Sequence, residues 1–348
     1  MHPKRPLLQN PVKPIEVDAG KTIHELLADM GQTAFQGKNL GKALSVWSEM
    51  LKERTVIFLG LAGAMVPAGL RKIIVYLIQH RLIDCLVSTG ANLFHDTHET
   101  LGRFHFQGTH LADDVKLQKK GIDRIYDVFA DEVEFIKTDN FVSDWAKSMT
   151  WESPITTREF FQRLGDYLDK HKQDDGILSS AAASGVPVYC PAISDSCIGI
   201  SLAHNRSNEW PSPLIDVIQD VLETAHMVSG DFKTGVIYLG GGTPKNFIQQ
   251  TEVTATIIKR GTPGHEYAIQ ITADAPHWGG LSGCTLEEAQ SWGKISPTAR
   301  KVSLFSDTTI AFPILVNGLA GIIKAQKLRR AEIPRFKFGE TVDITWDH

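Results

Sequence analysis

Hydrophobic and polar positions along this chain follow two periods. Six short runs are apolar almost throughout and close on Gly, Ser, Thr or Asp: TVIFLG from Thr55, DCLVSTG from Asp84, VPVYCPAIS from Val186, TGVIYLGGG from Thr234, EYAIQITAD from Glu266 and KVSLFSD from Lys301. A strand buried on both faces reads this way, because no position along it meets water. Between the runs the period lengthens. In NLGKALSVWSEML, Leu40, Ala43, Leu44, Trp47 and Leu51 fall on one helical face. A helical stretch follows the first run as far as His80, and residues 213–228 place Leu214, Val217, Ile218, Val221, Leu222 and Ala225 on one face. Thr22-Ile23-His24-Glu25 has the form of a capping box and starts a helix. Apolar strands alternating with amphipathic helices predict an α/β fold, a doubly wound, mostly parallel sheet of six strands. Residues 1–21, with four prolines, read as an extended arm, and residues 22–348 as a single domain. Residues 92–175 are less regular and rich in His, Asp and Thr. They read as an insertion that lays helices over a ligand crevice.

Composition narrows the function classes. With 348 residues, 42% of them hydrophobic, the chain can bury a sizeable core. A net charge of −4 gives no basic field and argues against nucleic acid as a partner. Cys85, Cys190, Cys197 and Cys284 form no CxxC pair, so no zinc ribbon and no metal site is expected, and their spacing suits a reducing compartment. The prolines at the N-terminus do not form a signal peptide. The longest apolar run, residues 56–70, is 15 residues broken by Gly and Pro, too short to cross a bilayer. A cytoplasmic location follows as the expectation.

Ligands of such sheets sit at the carboxyl ends of the strands. Those ends here are GLAGAMVPAG (60–69), STGAN (88–92), AISD (192–195), LGGGTPKN (239–246), TAD (272–274) and SDTT (306–309). The glycines Gly240, Gly241 and Gly242 stand between a strand and a helix start. Free N–H groups there suit a pyrophosphate, although a tight packing turn has the same composition. No GxGxxG follows the first strand. Asp195 and Asp307 each end a strand, where a carboxylate either holds ribose hydroxyls or caps the next helix. Pattern alone reaches a nucleotide-binding α/β enzyme. One further stretch stands out: in EEAQSWGKIS (287–296), Lys294 follows Trp292 and Gly293 with no carboxylate immediately beside it. It is either an ordinary surface lysine or an amine that reacts.

Several segments decide between these. AFQGKNLGKALSVWSEML, IFLGLAGAMVPAGLRKIIVYLIQHRLIDCLVSTGA, VPVYCPAISD, IYLGGGTPKN and EEAQSWGKI, with SWGKI followed by SDTTIAFPIL, resemble the deoxyhypusine synthase family in order and spacing from about Ala34 to the last helix. GANLFHD and PHWGGLSG are most similar to the deoxyhypusine synthase-like branch of bacteria. The resemblance implies a Rossmann-like domain, NAD as cofactor, and a homotetramer built as a dimer of dimers with active sites at the dimer interface. There the N-terminal arm can close a partner's site. It makes Lys294 the lysine that forms an imine with an aminobutyl group. An amine attacks only when neutral, so a lysine kept from water beside Trp292 should have a lowered pKa. Gly293 would leave space for the substrate chain, and the indole would face an ammonium.

The resemblance also assigns cofactor contacts. Gly63 and Ala64 stand in the first loop, and Thr89, Gly90 and Ala91 match the second. Asp195, Gly241, Thr272, Ala273 and Asp307 match the remaining contacts. Gly240 and Gly242 flank Gly241, and Thr308 replaces a common Ala. The substrate pocket departs from the family. Asn246 stands for a histidine, Gln250 for an asparagine, Ile200 and Leu281 for acids, and His95 for a glutamate. With Trp292, the residues Asn246, Gln250 and His95 are the candidate substrate contacts, and Asp96 or Glu99 could restore a lost carboxylate. The expected function is NAD-dependent transfer of an aminoalkyl group from a polyamine or other small amine through Lys294, without net oxidation. The acceptor is a protein lysine, giving deoxyhypusine, or a free diamine, as in homospermidine synthase chemistry; the altered pocket favours the small amine. An NAD-dependent deacylase lacks its paired cysteines here, and intact Lys294 argues against a non-catalytic NAD-binding homologue.

Overall fold

The computed structural model describes residues 8–325 and 327–347. Residues 1–7 of the expected arm lie outside the described residues. From residue 8 to Thr22 the chain forms no helix or strand and is mostly exposed. Lys13 N donates to Gln32 O at 3.1 Å, and Lys21 pairs with Asp29 at 2.5 Å. The capping box forms: α1 (Ile23–Met30) opens with the Thr22 hydroxyl accepting from Glu25 N while Glu25 accepts from Thr22 N. In α2 (Phe35–Lys52) all five residues of the predicted apolar face are buried.

β1 (Thr55–Leu61) is followed by a π-helical turn at Val66–Leu70, α3 (Arg71–Gln79) and β2 (Cys85–Ser88). Then come α4 (Gly90–Thr100), β3 (Phe106–Gln107), α5 (Asp114–Gln118), β4 (Ile122–Ile125), β5 (Val128–Asp131), α6 (Glu132–Ser148), α7 (Thr157–His171), α8 (Ile177–Ser184) and β6 (Val188–Tyr189). α9 (Cys197–Ser207) and α10 (Val217–Met227) lead to β7 (Lys233–Leu239), α11 (Gly242–Ile257), β8 (His265–Thr272), α12 (Leu286–Ser291), β9 (Ile295–Phe305) and α13 (Thr308–Lys324). The antiparallel hairpin β10 (Ile333–Phe338) and β11 (Val342–Asp347) follows.

The six predicted strands form one parallel sheet in the order β6-β2-β1-β7-β8-β9. Its side chains divide by the period of two. Ile57, Leu59 and Leu61 of β1 join one core with α2, α3, α8 and α13, while Val56 and Phe58 join another with α10, α11 and α12. This explains the uninterrupted apolar runs, since both faces are covered.

Two expectations change. Of the apolar face predicted for α10 only Ala225 is buried: Leu214, Ile218 and Leu222 are exposed, while the helix buries Asp220, Glu223, Thr224 and Met227. Polar pairing sets the orientation. Asp220 accepts from Thr157 N and Oγ1 at 3.0 and 2.7 Å, and Glu223 binds Arg158 and Tyr189. The 92–175 stretch is also more regular than expected. It contains a three-stranded antiparallel sheet, β3-β5-β4, which together with the π-helical turn walls a surface cavity of about 740 Å³ with Ala64, Met65, His105, Phe106, Tyr126 and Asp307 in its lining.

One buried ionic cluster pins the sheet to the C-terminal hairpin. Asp84, fully buried, accepts from Ile57 N at 2.8 Å and pairs with Arg81 at 3.3 Å and Arg330 at 2.5 Å. Arg81 also donates to Pro334 O at 2.8 Å. Asp84→Ala leaves two guanidinium groups without their carboxylate, and should lower the unfolding free energy in urea by ~3–5 kcal/mol.

Candidate active site

The site is assembled by strand order. Numbered along the chain, the sheet runs 3-2-1-4-5-6, so the topological switch lies between β1 and β7. The loops after these strands open a crevice at their carboxyl ends. Ala62 N donates to Leu239 O at 3.1 Å, Gly240 N to Ile271 O at 2.8 Å, Thr89 N to Leu61 O at 3.3 Å and Ser306 N to Thr272 O at 3.1 Å. Each bond stitches one loop to the end of the neighbouring strand. Asn92, fully buried, ties two loops together: Nδ2 donates to Gly63 O at 2.7 Å and to Thr89 Oγ1 at 3.1 Å, and Oδ1 accepts from Val66 N at 3.2 Å. Asn92 stood inside STGAN, but nothing in its spacing distinguished it from a surface amide.

The glycine turn has two separate requirements. Gly240 and Gly242 adopt φ of +73° and +55°, a region costly for side-chain-bearing residues. Gly241 has φ −170°, not left-handed, but a Cβ there would lie 2.3 Å from Ser282 Cα. The loop after β8 is therefore laid directly on the turn. A Cβ at Gly90 would likewise lie 2.4 Å from Ser196 Oγ, which brings the β2 and β6 loops together.

These residues fit a dinucleotide. The 16-residue α11 starts at Gly242, and its N-cap Gly241 supplies no side-chain cap, so its first N–H groups lack an internal acceptor and suit a phosphate. Gly63, Ala64, Ala91, Asp195, Ala273 and Asp307 are exposed along the edge, Thr89 is half-buried, and Gly90, Gly241, Thr272 and Thr308 are buried beneath it. The two aspartates separate in role. Ser196, not Asp195, caps α9, and the Asp195 carboxylate has no hydrogen-bond donor among the described residues. Asp307 caps α13, accepting from Thr309 N and Oγ1 at 2.7 and 2.5 Å, and these hydrogen bonds hold its carboxyl below the usual range.

Lys294 sits immediately before β9, whose first residue Ile295 is paired with His265 at the start of β8. Its backbone is thus at the other end of the sheet from the crevice, and its side chain spans part of the distance. Nζ reaches Asn246 Oδ1 at 3.5 Å. Asn246 is four residues past Gly242, about 6 Å along the axis of α11. No carboxylate lies within 4 Å of Nζ among the described residues. Nζ is 5.4 Å from the Trp292 ring centroid. Gly293 has φ +68°, and a Cβ there would meet nothing within 4 Å. Gln250 is exposed, one turn beyond Asn246.

The expected exclusion from water is not met within the single chain: Trp292 is 67% exposed and Lys294 half-buried. Nor is His95 brought beside Lys294. It lies on α4, whose Leu93 and Phe94 belong to one core, whereas Ile248 of α11 and Leu286 of α12 belong to the opposite one. His95 Nδ1 faces His105 Nε2 at 2.9 Å, and His105 Nδ1 faces Glu99 Oε1 at 2.7 Å. Burial, then His105 and His98, push the His95 pKa down to about 3, so it is neutral. Asp96 and Glu99 are committed elsewhere. Asp96 is fully buried and accepts from Ile177 N and Leu178 N at 2.7 and 2.9 Å, and Glu99 is held by Arg71 at 2.8 Å. Neither is free to bind an amine. Ile200, on α9, and Leu281, in the loop before α12, are both exposed.

Among the described residues no group of His, Cys, Asp and Glu could hold a metal, and no helix is long and apolar enough to cross a membrane.

Comparison with known proteins gives a consistent family. The model for deoxyhypusine synthase matches residues 25–319. "Probable deoxyhypusine synthase 2" of Methanosarcina acetivorans is 52% identical over 89% of this chain and 90% of its own length. The protein of the same name from Archaeoglobus fulgidus is 50% identical over 88% of this chain and 99% of its own. A bacterial "Deoxyhypusine synthase-like protein" from Chlorobaculum parvum is 36% identical over 90% of each chain. A crystal structure of an Entamoeba histolytica protein assigned to the deoxyhypusine synthases shares the fold, with a TM-score of 0.60 at 17% identity over 92% of this chain and 98% of that one.

Proposed function

The chain belongs to the deoxyhypusine synthase family, and from that premise we propose that it transfers an aminobutyl-type group through an imine on Lys294, with NAD as redox cofactor. The observation that carries this reading is the reach of Lys294 Nζ to Asn246, one helical turn from the uncapped glycine turn at the switch point. Gly63, Ala64, Thr89–Ala91, Asp195, the 240–242 glycines, Thr272, Ala273, Asp307 and Thr308 would hold NAD. Bound there, it supplies the acceptor and later the donor of one hydride.

The chain's own groups do the rest. Once the carbon beside the donor's nitrogen has been brought to the imine level by loss of that hydride, Lys294, in its neutral form, adds to it and expels the departing amine with a proton, so one C=N bond replaces another. A second amine then displaces Lys294 in the same way. Asn246 Oδ1 can accept from Nζ and aim its lone pair. Gly293 leaves open space beside the amine, and the Trp292 face is available to an ammonium. Because the indole and the lysine are half-open to solvent in one chain, a second copy in a homotetramer is the covering we propose for them.

The pocket supports a small amine acceptor over a protein lysine. Leu281 is apolar where the family has an acid, and neither Asp96 nor Glu99 compensates. Leu281→Asp should therefore raise kcat/KM for spermidine relative to the best native donor by roughly fivefold. An unchanged ratio would show that the lost acid does not set donor choice. The proposal as a whole is tested by mass spectrometry of products from purified protein incubated with NAD and a panel of polyamines. An aminobutyl-transfer product is expected; no product from any donor, with or without a protein acceptor, would contradict it.

A further inference from the structure

A second buried amine lies close to the proposed site. Lys245, in the first turn of α11, is 1% exposed and has no carboxylate within 4 Å among the described residues. Its ammonium donates three hydrogen bonds instead: to Gln270 Oε1 at 3.0 Å, Leu281 O at 3.1 Å and Cys284 O at 2.5 Å. Three N–H groups meet three acceptors, so the cation is saturated without a counter-ion. Gln270, also 1% exposed, completes the arrangement. Its Nε2 donates to Gly240 O at 3.1 Å and to Ser282 O at 2.8 Å. Two side chains thus grip the carbonyls of residues 281, 282 and 284 on one side and of Gly240 on the other.

The gripped loop has consequences at both ends. It begins after Thr272 and Ala273, candidate cofactor contacts, and ends in α12, which leads to Trp292 and Lys294. It lies on Gly241 so closely that a single Cβ would strike it. Burying an ammonium without a carboxylate is costly, and an apolar side chain would fill the same space more cheaply. Burial pushes the Lys245 pKa down to about 8, against the opposing pull of Cys284 and Glu288, with Lys294 adding to the depression. What the ammonium provides that a methionine would not is direction: it fixes two loop carbonyls, Leu281 O and Cys284 O, and the Gln270 side chain at once.

We propose that Lys245, acting with Gln270, is a positioning residue that clamps the 281–284 loop onto the glycine turn and so sets both the NAD crevice and the placement of Lys294. The clamp itself rests on the geometry alone; its effect on NAD rests on the function proposed above.

The test compares wild type with Lys245→Met and Gln270→Met by amide hydrogen exchange and by calorimetric titration with NAD. Gly283 N and Cys284 N both donate to Gly280 O and report on the loop. In ligand-free protein, both variants should exchange these amides roughly tenfold faster, while the peptides of β7 and β8 keep wild-type protection. NAD affinity should fall by a similar factor, with KM for NAD rising more than kcat falls. Wild-type protection at 283–284 in either variant would overturn the clamp. Uniform loss of protection across the sheet would also overturn it, since that marks general destabilisation. If Lys245→Met does not fold, Gln270→Met decides, because it removes the bonds to Gly240 and Ser282 while adding no charge. If wild type binds no NAD, the cofactor reading fails and the exchange measurement still judges the clamp.

Discussion

Lys294→Ala should lower kcat by roughly three orders of magnitude or more while leaving NAD affinity nearly unchanged. The reason lies in the geometry. Among the described residues the one side-chain hydrogen bond of Lys294 is to Asn246 at 3.5 Å, so removing its amine deletes the proposed attacking group and breaks no hydrogen bond of the proposed cofactor contacts. Lys294→Arg should fail equally, because a guanidinium stays protonated and forms no imine. Steady-state kinetics with calorimetric titration separates the two effects. Turnover within about tenfold of wild type in either variant would remove Lys294 from the mechanism.

Gly241→Val should weaken NAD binding by roughly a hundredfold, the effect of ~3 kcal/mol of overpacking at a contact that cannot yield. At Gly241 φ is −170°, outside the left-handed region, so a left-handed φ is not the cause. The obstacle is Ser282 Cα at 2.3 Å, a backbone atom of a loop held by Lys245 and Gln270. The loop must lift, and with it the wall of the crevice. Gly240→Ala isolates the other requirement of the turn. Its Cβ would meet only Ala62 at an ordinary 3.6 Å, so the cost there is the left-handed φ of +73°, worth ~1 kcal/mol of stability. Unchanged NAD affinity in Gly241→Val would separate the glycine turn from the cofactor site.

The sheet was legible because its central strands are short apolar runs, rich in β-branched and aromatic residues and closed by Gly, Ser, Thr or Asp, which separates them from buried helix segments. The edge strand β6 shrinks to Val188–Tyr189, since the CPAIS segment that extended the apolar run turns away to begin α9. α10 could not be oriented from its periodicity. Its buried face is chosen by Thr157, Arg158 and Tyr189, residues 28 or more positions away that pair with Asp220 and Glu223. The small sheet at 106–131 escaped detection because its strands are two to four residues long and partly exposed, too short for a period to register. The chemistry was legible to the extent that it lies in contiguous stretches: the glycine turn and the Trp-Gly-Lys segment. Contacts such as Asn92 to Gly63, Gln270 to Ser282 and Lys294 to Asn246 join segments far apart in the chain, and no local spacing encodes them. That Ile200 and Leu281 are apolar where the resemblance leads one to expect acids was readable in the sequence, whereas the commitment of Asp96 to the α8 N-terminus and of Glu99 to Arg71 and His105 required the fold.

The central claim is covalent attachment at Lys294, and borohydride trapping tests it most directly. Purified protein is incubated with spermidine or its best native donor in the presence and absence of NAD, reduced, digested and mapped by mass spectrometry. A reduced aminoalkyl adduct is expected on the peptide carrying Lys294, present only when NAD is supplied. An adduct confined to another lysine, Lys245 included, or product formation with Lys294 unmodified, would contradict it.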